Sequence, residues 1–218
     1  MPYSATGQDV LPTESDIKAF EKEHKVRMPQ DIKDMLLNTG GFEEAREFGI
    51  NKYRKLILPL PNKKFGYDYM MFSATATFEG IKTEYQNFME DVPQYSFPFI
   101  EDDGGVIIIT LWPGAEGQIY HCQFDFDYAT DEEIMLVEEQ SDIEDFDPIK
   151  GKIPFTYRKI ADSFTELVDK ILFVDGEEWD AMCETRGQGP IDLTNVTQYE
   201  LPTGSHNVSL TMDITSYP

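Results

Sequence analysis

His121 and Cys122 are the first residues that look able to do chemistry, because an imidazole beside a thiol can generate a nucleophile. They lie in Gln118 to Asp127, whose alternation predicts a strand, and neighbours on a strand point to opposite faces. They therefore cannot act as a pair. Cys122 reads better as a small buried hydrophobe. Cys183, in Met182-Cys183-Glu184, has no basic helper near it in sequence. The chain has no G-x-S-x-G turn and no phosphate-cradling G-x-x-x-x-G-K-S/T, and Gly104-Gly105 is read as a tight turn. No catalytic residue is assigned.

Metal chemistry fares no better. The three histidines (His24, His121, His206) stand far apart, with no CxxC, no HExxH and no His pair at helical spacing. Asp125 and Asp127 share one face of the expected strand, and Asp131 is near enough in sequence to join them around a hard cation. An EF-hand fails, because position five would be Ala129 and the glycine required at position six is Thr130. Neither a metal site nor a cofactor is assigned. The sequons at Asn195 and Asn207 are read as chance matches, since Met1 to Asp9 lacks the basic-then-apolar build of a secretory leader.

Charge carries more information. The chain of 218 residues has 41 acidic and 18 basic side chains, a formal net charge of −23. A surface of that sign repels nucleic acid and anionic membranes, and no apolar run is long enough to span a bilayer. Two cysteines do not make a disulfide framework, so a reducing, cytoplasmic setting is expected. Residues 1–82 balance 12 acidic against 12 basic side chains, whereas residues 83–149 hold 18 acidic and no basic ones. Asp131 to Asp147 is the densest part, with nine carboxylates in seventeen residues. Such a run is most often a solvated loop. Here its repulsion has no local ion pair to offset it, which narrows the gap to the other reading, a surface that steers a basic protein into a complex. The candidate partner-binding residues are Asp125, Asp127, Asp131, Glu132, Glu133, Glu138, Glu139, Asp142, Glu144, Asp145 and Asp147.

Several elements must position these groups. Glu14 to Lys25 reads as a helix capped by Thr13, with Ile17, Phe20 and His24 on one stripe. A second helix starts at Pro29, turns Ile32, Met35 and Leu36 inward, and stops at Gly40-Gly41, giving a helical hairpin. Leu56 to Pro61 reads as a strand whose prolines suggest a sheet edge, and Tyr67 to Phe72 as another. Phe78 to Met89 is ambiguous, with helix one option. Phe97 to Ile100 and Val106 to Trp112 form a hairpin, the second a central strand covered on both faces. Along Gln118 to Asp127, Tyr120, Cys122, Phe124 and Phe126 should face the core, with His121, Gln123, Asp125 and Asp127 on a polar face. A late helix runs from about Ser163 to Phe173, with Ser163 and Glu166 at capping-box spacing. Ile191 to Tyr217 is a candidate hairpin.

The order of these elements resembles the SUKH superfamily. The resemblance rests on Val26-Arg27-Met28-Pro29 followed by Ile32 to Gly41, on Phe97 to Ile100 with Asp103-Gly104-Gly105, and on Ser163-Phe164-Thr165-Glu166-Leu167. It covers residues 12–175, with an acidic insertion near 131–150 and a C-terminal extension over 176–218. It implies an α+β fold, a mixed and largely antiparallel sheet flanked by helices behind an N-terminal helical hairpin. It also implies a non-enzymatic role. Members resemble immunity proteins that bind and neutralise a cognate polymorphic or contact-delivered toxin, often a nuclease; the alternative is a regulatory scaffold of the cell-wall-regulator type. A toxin with a basic surface is the expected partner. The family's partner residues follow no motif, so none is carried over.

Overall fold

The computed structural model describes residues 11–41, 54–71, 77–102, 104–140, 145–186 and 192–199. The helical hairpin forms as its caps dictate. In α1 (Glu14–His24), Asp16 N–H donates to Thr13 Oγ1 and Thr13 N–H donates to Asp16 Oδ2 at 2.8 Å, a complete capping box. α2 (Gln30–Thr39) follows Pro29 and ends at Gly40, whose φ of 76° suits a left-handed cap. Glu21 ties the pair together, accepting from the Met28 N–H at 2.9 Å and meeting Lys33 at 2.6 Å.

The strands form two four-stranded sheets rather than one, and every pairing is antiparallel. The first has the order β2 (Tyr67–Met71), β1 (Arg54–Lys64), β7 (Leu172–Asp175), β8 (Gln198–Tyr199). The second has the order β3 (Ser96–Asp102), β4 (Gly105–Thr110), β5 (Ile119–Gln123), β6 (Tyr157–Ala161). The molecule is an α+β fold, with α3 (Phe78–Phe88), α4 (Asp131–Gln140), α5 (Phe164–Lys170) and α6 (Gly176–Arg186) completing it.

β1 is not the edge that its prolines suggested. It lies between β2 and β7: residues 54–57 pair with β7, Ile57 pairs on both sides, and the strand meets β2 alone from Leu58 onward. Pro59 lies on that second stretch, where a missing N–H leaves no partner on the β7 side unsatisfied. β4 is buried along its whole length, as its unbroken apolar run predicts. The late helix is shorter than expected. Its chain leaves the helix at Ile171 and becomes β7, because Phe173 and Val174 gain more as alternating strand residues against β1. Ser163 still caps α5, while Glu166 reaches back to the N–H of Asp162 at 2.7 Å.

Three apolar clusters hold the layers. The largest takes Ile17, Phe20, Ile32, Leu36, Leu56, Leu58, Phe97, Phe99, Ile107, Ile119 and Leu167, and so joins both sheets to α1, α2 and α5. A second covers the opposite face of the second sheet with Val106, Ile108, Tyr120, Cys122, Tyr157 and Phe146. A third seats Trp179 of α6 on Ile57 and Val174, the outer face of the first sheet. Within the expected C-terminal hairpin, Leu193–Asn195 forms a short 3-10 turn and β8 adds two residues to β7; residue 191 and residues 200–217 lie outside the described residues.

The Gly104-Gly105 turn owes its glycines to close approach. A Cβ on Gly105 would stand 2.1 Å from the Cys122 carbonyl oxygen, and one on Gly104 would stand 2.6 Å from Gln123 Nε2. Neither glycine has a positive φ.

Candidate protein interface

The alternating strand behaves differently from its pattern. β5 ends at Gln123, and all five of its residues are buried, because both faces of the second sheet are packed. His121 and Gln123 therefore do not form a solvated face. Beyond Gln123 the N–H groups of Phe124 and Asp125 both donate to the Gly104 carbonyl, and the chain leaves the sheet. Phe124, expected in the core, is 39% exposed, and Phe126 is half-buried.

Asp125 and Asp127 accordingly sit on the connection to α4 and not on a strand face. Asp125 Oδ2 accepts from the Tyr67 hydroxyl at 3.1 Å and Oδ1 from the Asp127 N–H at 2.9 Å, so both of its oxygens bind protein. Asp127 is exposed. Among the described residues, no group of three or more His, Cys, Asp or Glu is arranged to hold a metal ion.

The densest acidic run folds into α4 and a following anchor. Asp131 and Glu132 are exposed in the first turn of α4, where they complement the helix dipole. Glu133 turns inward. Its Oε1 accepts from the Phe65 N–H at 2.8 Å and its Oε2 from the Thr130 N–H at 2.9 Å. Burial pushes its carboxyl up, but these backbone donors outweigh it and hold Glu133 below its ordinary value. Both carboxylate oxygens of Glu133 are thus taken by backbone N–H groups. Gly66 packs against Tyr128 so closely that a Cβ there would lie 2.5 Å from the Tyr128 Cβ. Tyr128 in turn meets the Tyr67 ring at 5.7 Å.

Downstream, Phe146 is 2% exposed and packs on Trp112, Tyr120 and Tyr157. Asp147 is absorbed locally. It accepts from the N–H groups of Ile149 and Lys150 and pairs with the Lys150 ammonium at 3.1 Å; the Lys150 N–H above all holds its carboxyl low. Asp145 lies 3.9 Å from Lys152. The expectation of uncompensated repulsion fails at these two positions, because the compensating lysines fall just beyond residue 149. Asp142 and Glu144 lie outside the described residues.

What remains is an open groove of about 820 Å³ bounded by the end of α3, the β5–α4 connection, α4 and the chain around Pro154. Glu90, Asp91, Glu138, Glu139 and Asp145 line it together with Phe124, Phe126, Val137 and Tyr157. Of the eleven candidate carboxylates, Glu138, Glu139 and Asp145 converge here. Glu90 and Asp91 come from far earlier in the chain and were not singled out; their signal was their place in the lysine-free stretch.

Each aromatic ring of the groove is braced by another. Phe124 stacks on Phe88 at 5.8 Å, Phe126 meets Phe65 at 4.9 Å, and Tyr157 meets Phe146 at 5.6 Å. Burial raises the Cys122 thiol well above its ordinary value and also raises the neighbouring Tyr157 hydroxyl, so neither supplies an ionised group near neutral pH. The arrangement offers acceptors and rings, a chemistry of binding.

The model of the SMI1 / KNR4 family (SUKH-1) matches residues 11–170. The chain belongs to that family. No curated protein and no solved structure is similar enough to count as a match. The match spans the helical hairpin, β1 and β2 of the first sheet, the whole second sheet and α5, leaves β7, α6 and β8 outside, and includes every groove residue. Among the described residues, no helix is long and apolar enough to cross a membrane.

Proposed function

We propose that this chain is an immunity protein, which binds a cognate polymorphic or contact-delivered toxin in the cytoplasm and neutralises it by occupying its working surface, without catalysis. Membership of the SMI1 / KNR4 family supports a protein-binding role. The observation that carries the reading is the groove, an aromatic floor rimmed by five carboxylates. Interfaces of this anatomy place rigid aromatics at the centre and polar groups around them. A toxin that acts on nucleic acid must present a basic surface to phosphates, and an acidic groove complements it and speeds encounter.

The test is co-expression. Affinity capture at low and then moderate salt should retain a basic polypeptide that is toxic when expressed alone and harmless beside this chain. Changing Glu138 and Glu139 to glutamine should slow association and flatten its salt dependence. Capture of structural or signalling proteins alone, with no toxicity relieved, refutes the immunity reading and supports the regulatory scaffold.

A further inference from the structure

We propose that the groove recognises arginine specifically and not basic charge in general, with one guanidinium of the partner lying on the open face of Phe124 beneath the acidic rim. The proposal rests on the reading above that the groove docks a basic protein.

The ring geometry points to a flat cation. Phe124 and Phe88 are nearly parallel, with 16° between their planes and 5.8 Å between ring centres, an offset stack that braces Phe124 from one side. The side chain is nonetheless 39% exposed and lines the groove. A ring held from behind presents its remaining face without ordering on binding, which removes one of the costs of association. A guanidinium is planar, weakly hydrated and able to stack on that face while its N–H fork reaches carboxylates; an ammonium is compact, strongly hydrated and does neither well.

The rim supplies the acceptors. Glu90, Asp91, Glu138 and Glu139 make no ion pair among the described residues, while Asp145 pairs with Lys152 at 3.9 Å. Glu138 and Glu139 stand in the last turn of α4, where the backbone carbonyls already concentrate negative potential. No basic residue occupies that turn, so a cation from outside relieves a repulsion the fold leaves standing. The chain's own C-terminal segment does not provide one, since residues 187–218 contain no Lys or Arg.

The experiment uses the full chain and three labelled peptides of Gly and Ser carrying two arginines, two lysines or two citrullines. Fluorescence anisotropy at low ionic strength should show the arginine peptide binding about five- to tenfold tighter than the lysine peptide, with the neutral citrulline peptide not bound. Phe124→Leu keeps the site apolar but removes the flat face, and should bring the two basic peptides within about twofold of each other. In the unmodified protein, the ring-proton resonances of Phe124 should move on adding the arginine peptide and stay in place with the lysine peptide. Equal affinity for arginine and lysine, or an arginine preference that survives Phe124→Leu, overturns the proposal. So does a concentration-dependent dimer that Glu138→Gln dissolves, since a second copy would then be the occupant. The peptide readout needs no toxin. Arginine-selective binding without a captured toxin removes the immunity reading alone, and a captured toxin with no arginine preference removes this proposal alone.

Discussion

Glu84 sits on the buried side of α3 with 6% of its surface exposed, and the carboxylate nearest to it is Glu101 of β3. Burial without a cation raises its pKa, and the charge and hydrogen bond of Glu101 raise it further, to about 7 from an ordinary 4.5. Its Oε2 has no hydrogen-bond partner among the described residues, so ionisation gains nothing inside the fold. The sign follows. Below pH 4.5 the carboxyl is protonated in both folded and unfolded chains and imposes no electrostatic cost. Between 4.5 and 7 the native state holds a proton that the unfolded state has released, so stability falls as pH rises through that window. Above 7 the full cost is present. Moving a carboxyl from 4.5 to about 7, at about 1.4 kcal/mol per tenfold, corresponds to about 3 kcal/mol. Glu84→Gln keeps the shape and a hydrogen-bond donor for Glu101 while removing the titration. At pH 4 it should unfold with the parent. At pH 8 it should be more stable by up to about 3 kcal/mol, a rise in Tm of about 6–12 °C for a chain of this size. Urea unfolding at half-unit intervals from pH 4 to 8.5 measures the difference. A difference that does not change across the window, or a variant less stable at pH 8, refutes the reasoning.

Three further outcomes are expected from the same unfolding assay. Gly105→Ala should cost at least about 2 kcal/mol, because its Cβ would meet the Cys122 carbonyl at 2.1 Å, inside a β4–β5 ladder that cannot shift without losing pairs. Glu133→Gln should cost about 1–2 kcal/mol at pH 7, since it weakens two charge-assisted backbone bonds, one from Phe65 that joins α4 to the β1–β2 turn and one from Thr130 that closes the start of α4. That penalty should fade as pH falls below 4.5 through the lowered carboxyl value, where the parent protonates as well. Phe146→Ala should cost about 3–4 kcal/mol, and amide exchange around Asp145 and Tyr157 should accelerate as the groove loses its backing.

Local signals explain what was legible in the sequence. Thr13 with Asp16, Gly40 after the second helix, and the run Val106 to Ile109 between turn residues each specify an element through bonds made within a few residues. β7 was hidden because Ile171 to Val174 fits the end of a helix as well as a strand; pairing with β1, more than a hundred residues away, decides between them. α6 was hidden for a related reason. Its residues are polar apart from a few, and Trp179, wholly buried against Ile57 and Val174, gives it a place only once the first sheet exists.

Charge density alone does not tell which carboxylates the fold uses for its own bonds. Repulsion among crowded carboxylates is a cost, and the fold lowers it wherever a local donor is within reach. Asp125 takes the Tyr67 hydroxyl, Glu133 takes two backbone N–H groups, and Asp147 takes Lys150. Asp125 and Glu133 tie the segment to β2 and the turn before it, while Asp147 closes its own turn. Asp127, Asp131 and Glu132 stay outward away from the groove, whereas Glu138, Glu139 and Asp145 line it beside the braced rings, and Glu90 and Asp91 join them from just past the end of α3. On the proposed reading, binding capacity follows from what the fold leaves unpaired beside a rigid apolar floor, and not from where acidic residues are most frequent. On that ground Glu138→Gln and Glu139→Gln should reduce affinity for a basic partner far more than Asp131→Asn and Glu132→Gln, although all four residues lie on the same exposed helix. Equal losses from the two pairs would show that the helix acts by its overall field and that the groove adds nothing.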